Sequence, residues 1–333
     1  MMAGSAGEGV RSGNEEMRID STSAGSTPGI DERVPGVFIG IDVGGTGIKG
    51  GLVTSTGELL LERSVRTPVQ EGRDGILREL GQLALALIAA SERPVLGIGV
   101  GSAGSIDPVS GGVIFATDNL PGWTGTPLAA KLSERTGLPV RADNDVNVAA
   151  IGEAWTGAAK RYDSFAFAAL GTGVGGALFS GGRIIHGFQG RSGEIGHLIL
   201  KPGGLPCNCG QKGCLEQYAS GTALNRIARG IDPQWTSYTL MERYGEKEAR
   251  AVEAVEAFVS DLASGLISLY HVFGPEAIVL GGGLIETADL WWDRLEQALC
   301  EMSQKPIIIE RAKLGNQAGI IGAAYLGQIA ANV

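Results

Sequence analysis

Apolar positions along the chain alternate between strand-like runs and helical spacing, and glycine punctuates the boundaries. Residues 37–42 and 48–54 are short apolar runs separated by Gly44, Gly45, Thr46 and Gly47, which predicts a hairpin with a glycine turn. A third strand follows over 59–66. From 74 to 91, Ile76, Leu77, Leu80, Leu83, Leu87 and Ile88 recur at helical spacing until Pro94 stops the pattern. Strand signals return over 95–100. Residues 125–136 and 146–155 then read as helices on either side of an extended 139–142, and this alternation marks an α/β chain.

The opening device recurs at 165–179, where an apolar run, Gly171-Thr-Gly-Val-Gly-Gly176 and a second run repeat strand, glycine turn and strand. The recurrence points to an internal duplication with one glycine turn in each half. A long helix is expected over 247–273, because Val252, Val255, Val259, Leu262, Leu266, Leu269 and Phe273 share one face before Gly274 and Pro275. A strand at 277–280 runs into Gly281, Gly282 and Gly283. A closing helix over 316–329 would return to pack on the first half.

Of 333 residues, 44% are hydrophobic and 19% charged, enough for a large interior, and no apolar run approaches the roughly 18 residues of a membrane span. A net charge of -9 argues against a nucleic-acid partner, since phosphate backbones are bound by basic surfaces. Residues 1–35 are rich in Gly, Ser, Thr and Glu, without a secretion signal's apolar stretch, and read as a disordered tail. The expected organisation is this tail, a small lobe over 36–150 joined by the closing helix (316–331), and a large lobe over 151–315. Three of four cysteines crowd into Cys207, Cys209 and Cys214, a poor plan for disulfides in so long a chain, so a reducing, cytoplasmic setting is expected.

No lysine directly follows a glycine, which excludes a Walker-type P-loop. Gly99, Gly101 and Gly104 match a dinucleotide fingerprint in spacing, but the turn residues after them leave no place for the required helix. The segment Asp42-Val-Gly-Gly-Thr-Gly-Ile-Lys49 suits either a ligand-free glycine hairpin or a phosphate cradle of backbone N–H groups and a hydroxyl. Its pairing with Gly171, Thr172 and Gly173 favours the cradle, two turns clamping one triphosphate across a cleft. Gly281 to Gly283 would suit the nucleoside.

Asp143, Asn144 and Asp145 stand before the helix at 146, and each is a competent N-cap. One cap uses one residue, which leaves the others for a cleft. Phosphoryl transfer asks for positioning, a metal and a carboxylate near the attacking hydroxyl. Asp145 is the candidate base, and Asp42 the residue to hold Mg²⁺ through water. Lys49 either balances charge there or is solvated. Cys207, Cys209, Cys214 and His197 supply a closed tetrahedral donor set for a structural zinc, which would hold the 197–216 loop carrying Glu216. Glu194 and Glu216 flank this loop and suit polyol hydroxyls. His186 and His271 show no comparable neighbours in sequence; His271 and Cys300 are expected to be packing residues.

Taken together these residues resemble the ROK family of bacterial repressors and sugar kinases, over about 37–331. The resemblance rests on Asp42 to Lys49, Asn144-Asp145, Gly193-Glu-Ile-Gly-His197 and Cys207-x-Cys-Gly-x-x-Gly-Cys-Leu-Glu216. It implies a two-lobed, duplicated ribonuclease-H-like fold, as in actin and hexokinase, and ATP, Mg²⁺ and structural Zn²⁺ as cofactors. By the same resemblance Asn144, Asp145, Glu194, His197 and Glu216 bind sugar, with Gly104 and Asn119 as further sugar-side elements. Asn119-Leu-Pro-Gly-Trp123 is similar to the segment of the family's bacterial glucokinases, which implies glucose. N-acetylmannosamine, N-acetylglucosamine or fructose as acceptor, polyphosphate as donor, and a non-catalytic sugar sensor remain alternatives. The family implies a homodimer or homotetramer. Its repressor branch places a helix-turn-helix where this sequence has only the polar tail.

Overall fold

The computed structural model describes residues 36–332; the tail expected over 1–35 falls outside the described residues. Two five-stranded sheets form the frame. The first runs in the order Leu59–Arg66, Gly47–Thr54, Val37–Val43, Val95–Ser102, Val140–Asn144. The second runs Arg183–Ile184, Val174–Ser180, Ser164–Leu170, Ala277–Gly281, Ile309–Arg311. In each sheet the first two pairings are antiparallel and the last two parallel. The repeat seen in the two glycine hairpins therefore extends to a whole topology used twice, the duplicated α/β fold that the sequence implies.

Helices cover the outer faces. Gly72–Ala90 and Leu128–Thr136 bury Ile76, Leu80, Leu87 and Leu132 against Ile39, Ile41 and Ile98 of the first sheet. Ala249–Phe273 and Trp292–Met302 bury Val255, Leu262, Leu266 and Leu295 with Ile278 and Leu280 of the second. Two further helices, Asp145–Trp155 and Ala318–Ala331, join the sheets: Val148, Ile151, Ala323 and Leu326 pack with Phe165, Phe167 and Val279. Ala318–Ala331 is apolar almost all round, as a helix enclosed by other layers must be.

The contact between Ala318–Ala331 and the first sheet depends on missing side chains. A Cβ on Gly99 would land on the carbonyl oxygen of Ala323, and one on Gly40 on that of Ile320. A Cβ on Gly322 would in turn strike the carbonyl of Val148 in the neighbouring helix. Strand, helix and helix thus approach backbone to backbone, which side chains larger than hydrogen would prevent. Beside this seam the fully buried Glu153 has no ion pair among the described residues; its carboxylate accepts from the N–H groups of Ala158, Lys313 and Leu314 at 2.7–3.1 Å. Three backbone donors satisfy polar atoms whose burial would otherwise be costly.

Several boundaries differ from the sequence reading. The helix expected from 125 begins at Leu128, because Gly125 adopts φ 80° and Thr126 closes a turn onto Trp123. The helix expected from 247 begins at Ala249, since Lys247 takes φ 62° and Glu248 caps it through Ala251 N–H. The last helix starts at Ala318 after a 3-10 turn, Gly315–Gln317. His271 and Cys300 are exposed rather than packed, each on the outward face of its helix.

The seam makes a prediction. Gly99→Ala should lower stability by about 3 kcal/mol, because a methyl group there must displace backbone. Gly230→Ala, at a helical position with open space around it, should be neutral or stabilising by up to about 1 kcal/mol. Denaturant midpoints of the two variants check this; equal midpoints would contradict the backbone contact.

Candidate active site

Strands 37–43, 95–102 and 140–144 run parallel, and their carboxyl ends stop at one edge of the sheet, where open α/β sheets place ligands. Register brings Asp42, Gly101 and Asp143 into one row across that edge, and Val43, Ser102 and Asn144 into the next. Gly101 has no side chain, and Val148 packs where one would begin, so the row carries two carboxylates separated by a glycine. Asp145 follows as the first residue of the joining helix.

Asn144 is the cap of that helix: its Oδ1 accepts from Val146 N–H at 2.9 Å and Asn147 N–H at 3.2 Å. Its Nδ2 donates to the Gly104 carbonyl at 2.9 Å, so capping and the shape of the 103–106 turn are one interaction. Asp145 Oδ1 accepts from Val146 N–H at 3.0 Å. Burial holds the Asp145 carboxyl above the ordinary carboxylate range against the pull of these N–H donors and of Asn144, and the nearby Glu194 charge adds to the rise. Asp42 is pushed up to about 6 by burial and by the charge of Asp145, which Lys49, its cross-strand partner, only partly offsets.

The two glycine turns are held from below. In the first, Gly44 N–H meets Gly47 O, and Thr67 ties the turn twice, by its N–H to Thr46 O and by its hydroxyl to Gly44 O at 2.6 Å. Gly45 and exposed Thr46 face outward beside Asn119. In the second, Gly171 N–H meets Gly173 O, while Gly221 and Thr222 donate to Gly171 and Thr172 from the start of helix Gly221–Ile231. Glu216 Oε2 accepts from Val174 N–H at 3.0 Å, directly under Gly173. Gly282 takes φ 84° against the backbone of Leu170, leaving no room for a side chain.

A cavity of about 560 Å³ is lined by Gly45, Thr46, Gly104, Phe115, Asp118 and Asn119, among others. Its wall from Asn119 onward is anchored by the fully buried Trp123, whose Nε1–H donates to Ser102 Oγ at 2.9 Å at the end of strand 95–102. A second cavity, about 390 Å³, lies beyond the other turn and is lined by Gly171, Thr172, Asn225, Tyr238, Met241 and Gly283, among others. Asn225, Ser237 and Tyr238 were not singled out in the sequence, because they belong to helices with no glycine signal. Asn225 accepts from Ser237 N–H and donates to Gly221 O, which shapes this cavity.

His197, Cys207, Cys209 and Cys214 converge, their donor atoms all within 4.8 Å of one another. His197 Nδ1 lies 3.7 Å from Cys207 Sγ, and Cys209 and Cys214 Sγ are 3.6 Å apart without a disulfide. Burial and the neighbouring thiols push Cys214 up to about 12, whereas hydrogen bonds from Gln211 bring Cys209 down to about 7. Three soft thiols and an imidazole fit zinc, with no position left for water. The other His197 nitrogen, Nε2, points to exposed Glu194 Oε2 at 3.9 Å. His186, which the sequence left without neighbours, pairs with Asp143: Nε2 to Oδ2 is 2.7 Å. The signal was invisible because 43 residues separate the partners.

A ROK family model matches residues 38–329. The chain belongs to the ROK family. It is 36% identical to a glucokinase of Halalkalibacterium halodurans, over 87% of this chain and 94% of that protein. The ROK hexokinase of Thermus thermophilus superposes with a TM-score of 0.80 at 34% identity, covering 88% of this chain and 98% of the other. A ROK family glucokinase of Streptomyces griseus, solved with glucose and AMPPNP, gives 0.74 at 32% identity, covering 88% and 100%.

Two outcomes follow. Asp42 keeps its proton between the unfolded value of 3.8 and about 6 in the fold, so folding takes up a proton in that window and stability falls as pH rises through it. At neutral pH the ionised group costs the fold about 2–3 kcal/mol. Asp42→Asn should therefore unfold at higher denaturant than wild type at pH 7, with the difference shrinking towards pH 4, and an unchanged midpoint at pH 7 would contradict the burial argument. Metal analysis should find zinc in the purified protein, and Cys214→Ser should lose both the metal and stability; a metal-free protein with unaltered stability would contradict the fit.

Proposed function

We propose that the chain is a hexokinase-type enzyme that moves the γ-phosphoryl of MgATP to the 6-hydroxyl of glucose. The observation that carries this reading is the meeting of Asp42 and Asp145 at the carboxyl ends of the strands, beside a sugar-sized cavity and between two backbone-lined glycine turns. A sugar kinase suits the family to which the chain belongs, and glucose follows from the glucokinase relatives and from the Asn119 to Trp123 segment.

In this reading Asp145 accepts the proton of the sugar hydroxyl as it attacks. Burial, with the Glu194 charge beside it, raises its pKa above the ordinary carboxylate range, which strengthens it as a base. The charge of Asp145 acts on Asp42 and Lys49 offsets it only in part, an imbalance that a divalent cation would correct. Asp42 would hold Mg²⁺ through water, and the metal would neutralise charge on the transferred group. With Gly44 and Gly171 closing the two turns through their own N–H groups, the N–H groups at Gly45 and Gly173 and the Thr46 and Thr172 hydroxyls would cradle phosphates, and the cavity at Gly283 and Tyr238 would take the nucleoside. Gly104, Asn119, Asn144, Glu194, His197 and Glu216 would line the acceptor, with zinc fixing the last two of these. Asn144 retains one amide hydrogen for sugar beyond its bond to Gly104. A homodimer or homotetramer is part of this proposal.

Asp145→Asn should lower kcat by about a thousandfold, within the range a positioned base contributes, while glucose affinity stays near wild type. Near-normal turnover in that variant would overturn the base assignment. Comparing kcat/KM over glucose, fructose, N-acetylglucosamine and N-acetylmannosamine tests the acceptor. Glucose is expected to lead, and a preference for an N-acetyl sugar would replace it while leaving the chemistry intact.

A further inference from the structure

Asp143 and His186 stand outside the roles above, yet their arrangement is costly unless it is used. Asp143 is 3% exposed at its side chain and His186 16%, so a carboxylate and an imidazole are withdrawn from water to meet at 2.7 Å. Burial alone would lower the His186 pKa, but the hydrogen bond to Asp143 and its charge outweigh that and raise it. The other Asp143 oxygen, Oδ1, accepts from Asn144 N–H at 2.7 Å and from Asn147 Nδ2 at 2.9 Å. One carboxylate therefore holds the backbone entering Asn144 and a side chain in the first turn after Asp145, bracketing the proposed base on both sides.

His186 belongs to the other half of the molecule. It follows strand 183–184 of the second sheet, and its carbonyl accepts from Ser192 N–H at 2.9 Å, closing a loop that delivers Glu194 two residues later. The same loop leans on the first half again at Gly190, which sits against the Ile106 carbonyl so closely that a Cβ there would be 2.7 Å from it. The loop that presents Glu194 and the strand end that presents Asp145 are thus joined by one buried ion pair.

The geometry points to His186 as a positioning residue: through Asp143 it locks the strand-to-helix turn that aims Asp145, and it couples that turn to the loop bearing the acceptor-side Glu194. His186 touches neither substrate in this account, and its effect runs through Asp143. Removing it leaves the Asp143 carboxylate buried with two donors instead of three, free to rotate and release Asn144 or Asn147. The nucleotide side, built on the 171–174 turn and helix 221–231, has no bond to this pair and should be indifferent to it.

This inference rests on the kinase reading, so its test carries a readout that does not. In His186→Ala, kcat/KM for the sugar should fall about tenfold to a hundredfold, the scale of a small misplacement of a catalytic group, while KM for ATP stays within about twofold. His186→Gln, which keeps an N–H donor of similar reach, should recover most of the loss. In parallel, amide exchange at Asn144, Val146 and Asn147 should quicken in His186→Ala, with strand 164–170 unchanged. Kinetics equal to wild type, a proportional loss for sugar and ATP that tracks a fall in Tm, or unchanged exchange at those amides would each overturn the coupling. A wild-type protein with no sugar-dependent ADP formation would overturn the kinase assignment instead, and the exchange result would still decide whether His186 holds the turn.

Discussion

The backbone contact between helix Ala318–Ala331 and the strands at Gly40 and Gly99 is the constraint on which the rest of the structure depends. It fixes the height of the two central strands against the helix layer, and Gly322 passes the same close contact on to helix Asp145–Trp155. Because both helices also pack on Phe165 and Val279, the seam is where the two halves of the duplicated fold share a core. The strand ends carrying Asp42 and Asn144 inherit their separation from it. A residue with any side chain at these glycines would move the carboxylates before it touched a ligand.

Electrostatics at those strand ends runs against stability. Asp42 and Asp145 are withdrawn from water, which is the main reason that both carboxyls are raised, and like charge adds to it, Asp145 acting on Asp42 and Glu194 on Asp145. Such an arrangement makes sense where a divalent cation and a developing proton acceptor are needed. The Asp143–His186 pair shows the opposite economy, one charge answered by one partner and two further donors. The cysteine cluster lends rigidity from outside: it orients His197 and sits beside Glu216, which in turn supports the second glycine turn through Val174.

Legibility in the sequence followed locality. The glycine hairpins, the 72–90 and 249–273 helices and the cysteine loop carry their physics within short windows, as turn chemistry, periodicity or ligand spacing. The strand order was readable as a repeat at two hairpins, and the structure extended it to five strands in each sheet. Helix starts at 128 and 249 were missed because positive φ at Gly125 and Lys247 overrides the apolar period. His186 was passed over, and Asn225, Ser237 and Tyr238 with it, because their partners or cavities are assembled by tertiary contact. His271 and Cys300 read as packing residues because each falls within an apolar helix, and their helices turn those positions to solvent.

The central claim is spatial, and a crystal of the protein with glucose and a non-hydrolysable ATP analogue tests it most directly. The account expects the Asp145 carboxylate within hydrogen-bonding distance of the sugar 6-hydroxyl, with the analogue's phosphates on the amides of the 44–46 and 171–173 turns. A complex with the sugar bound elsewhere, or with Asp145 directed only at its own helix while the hydroxyl meets another group, would contradict it.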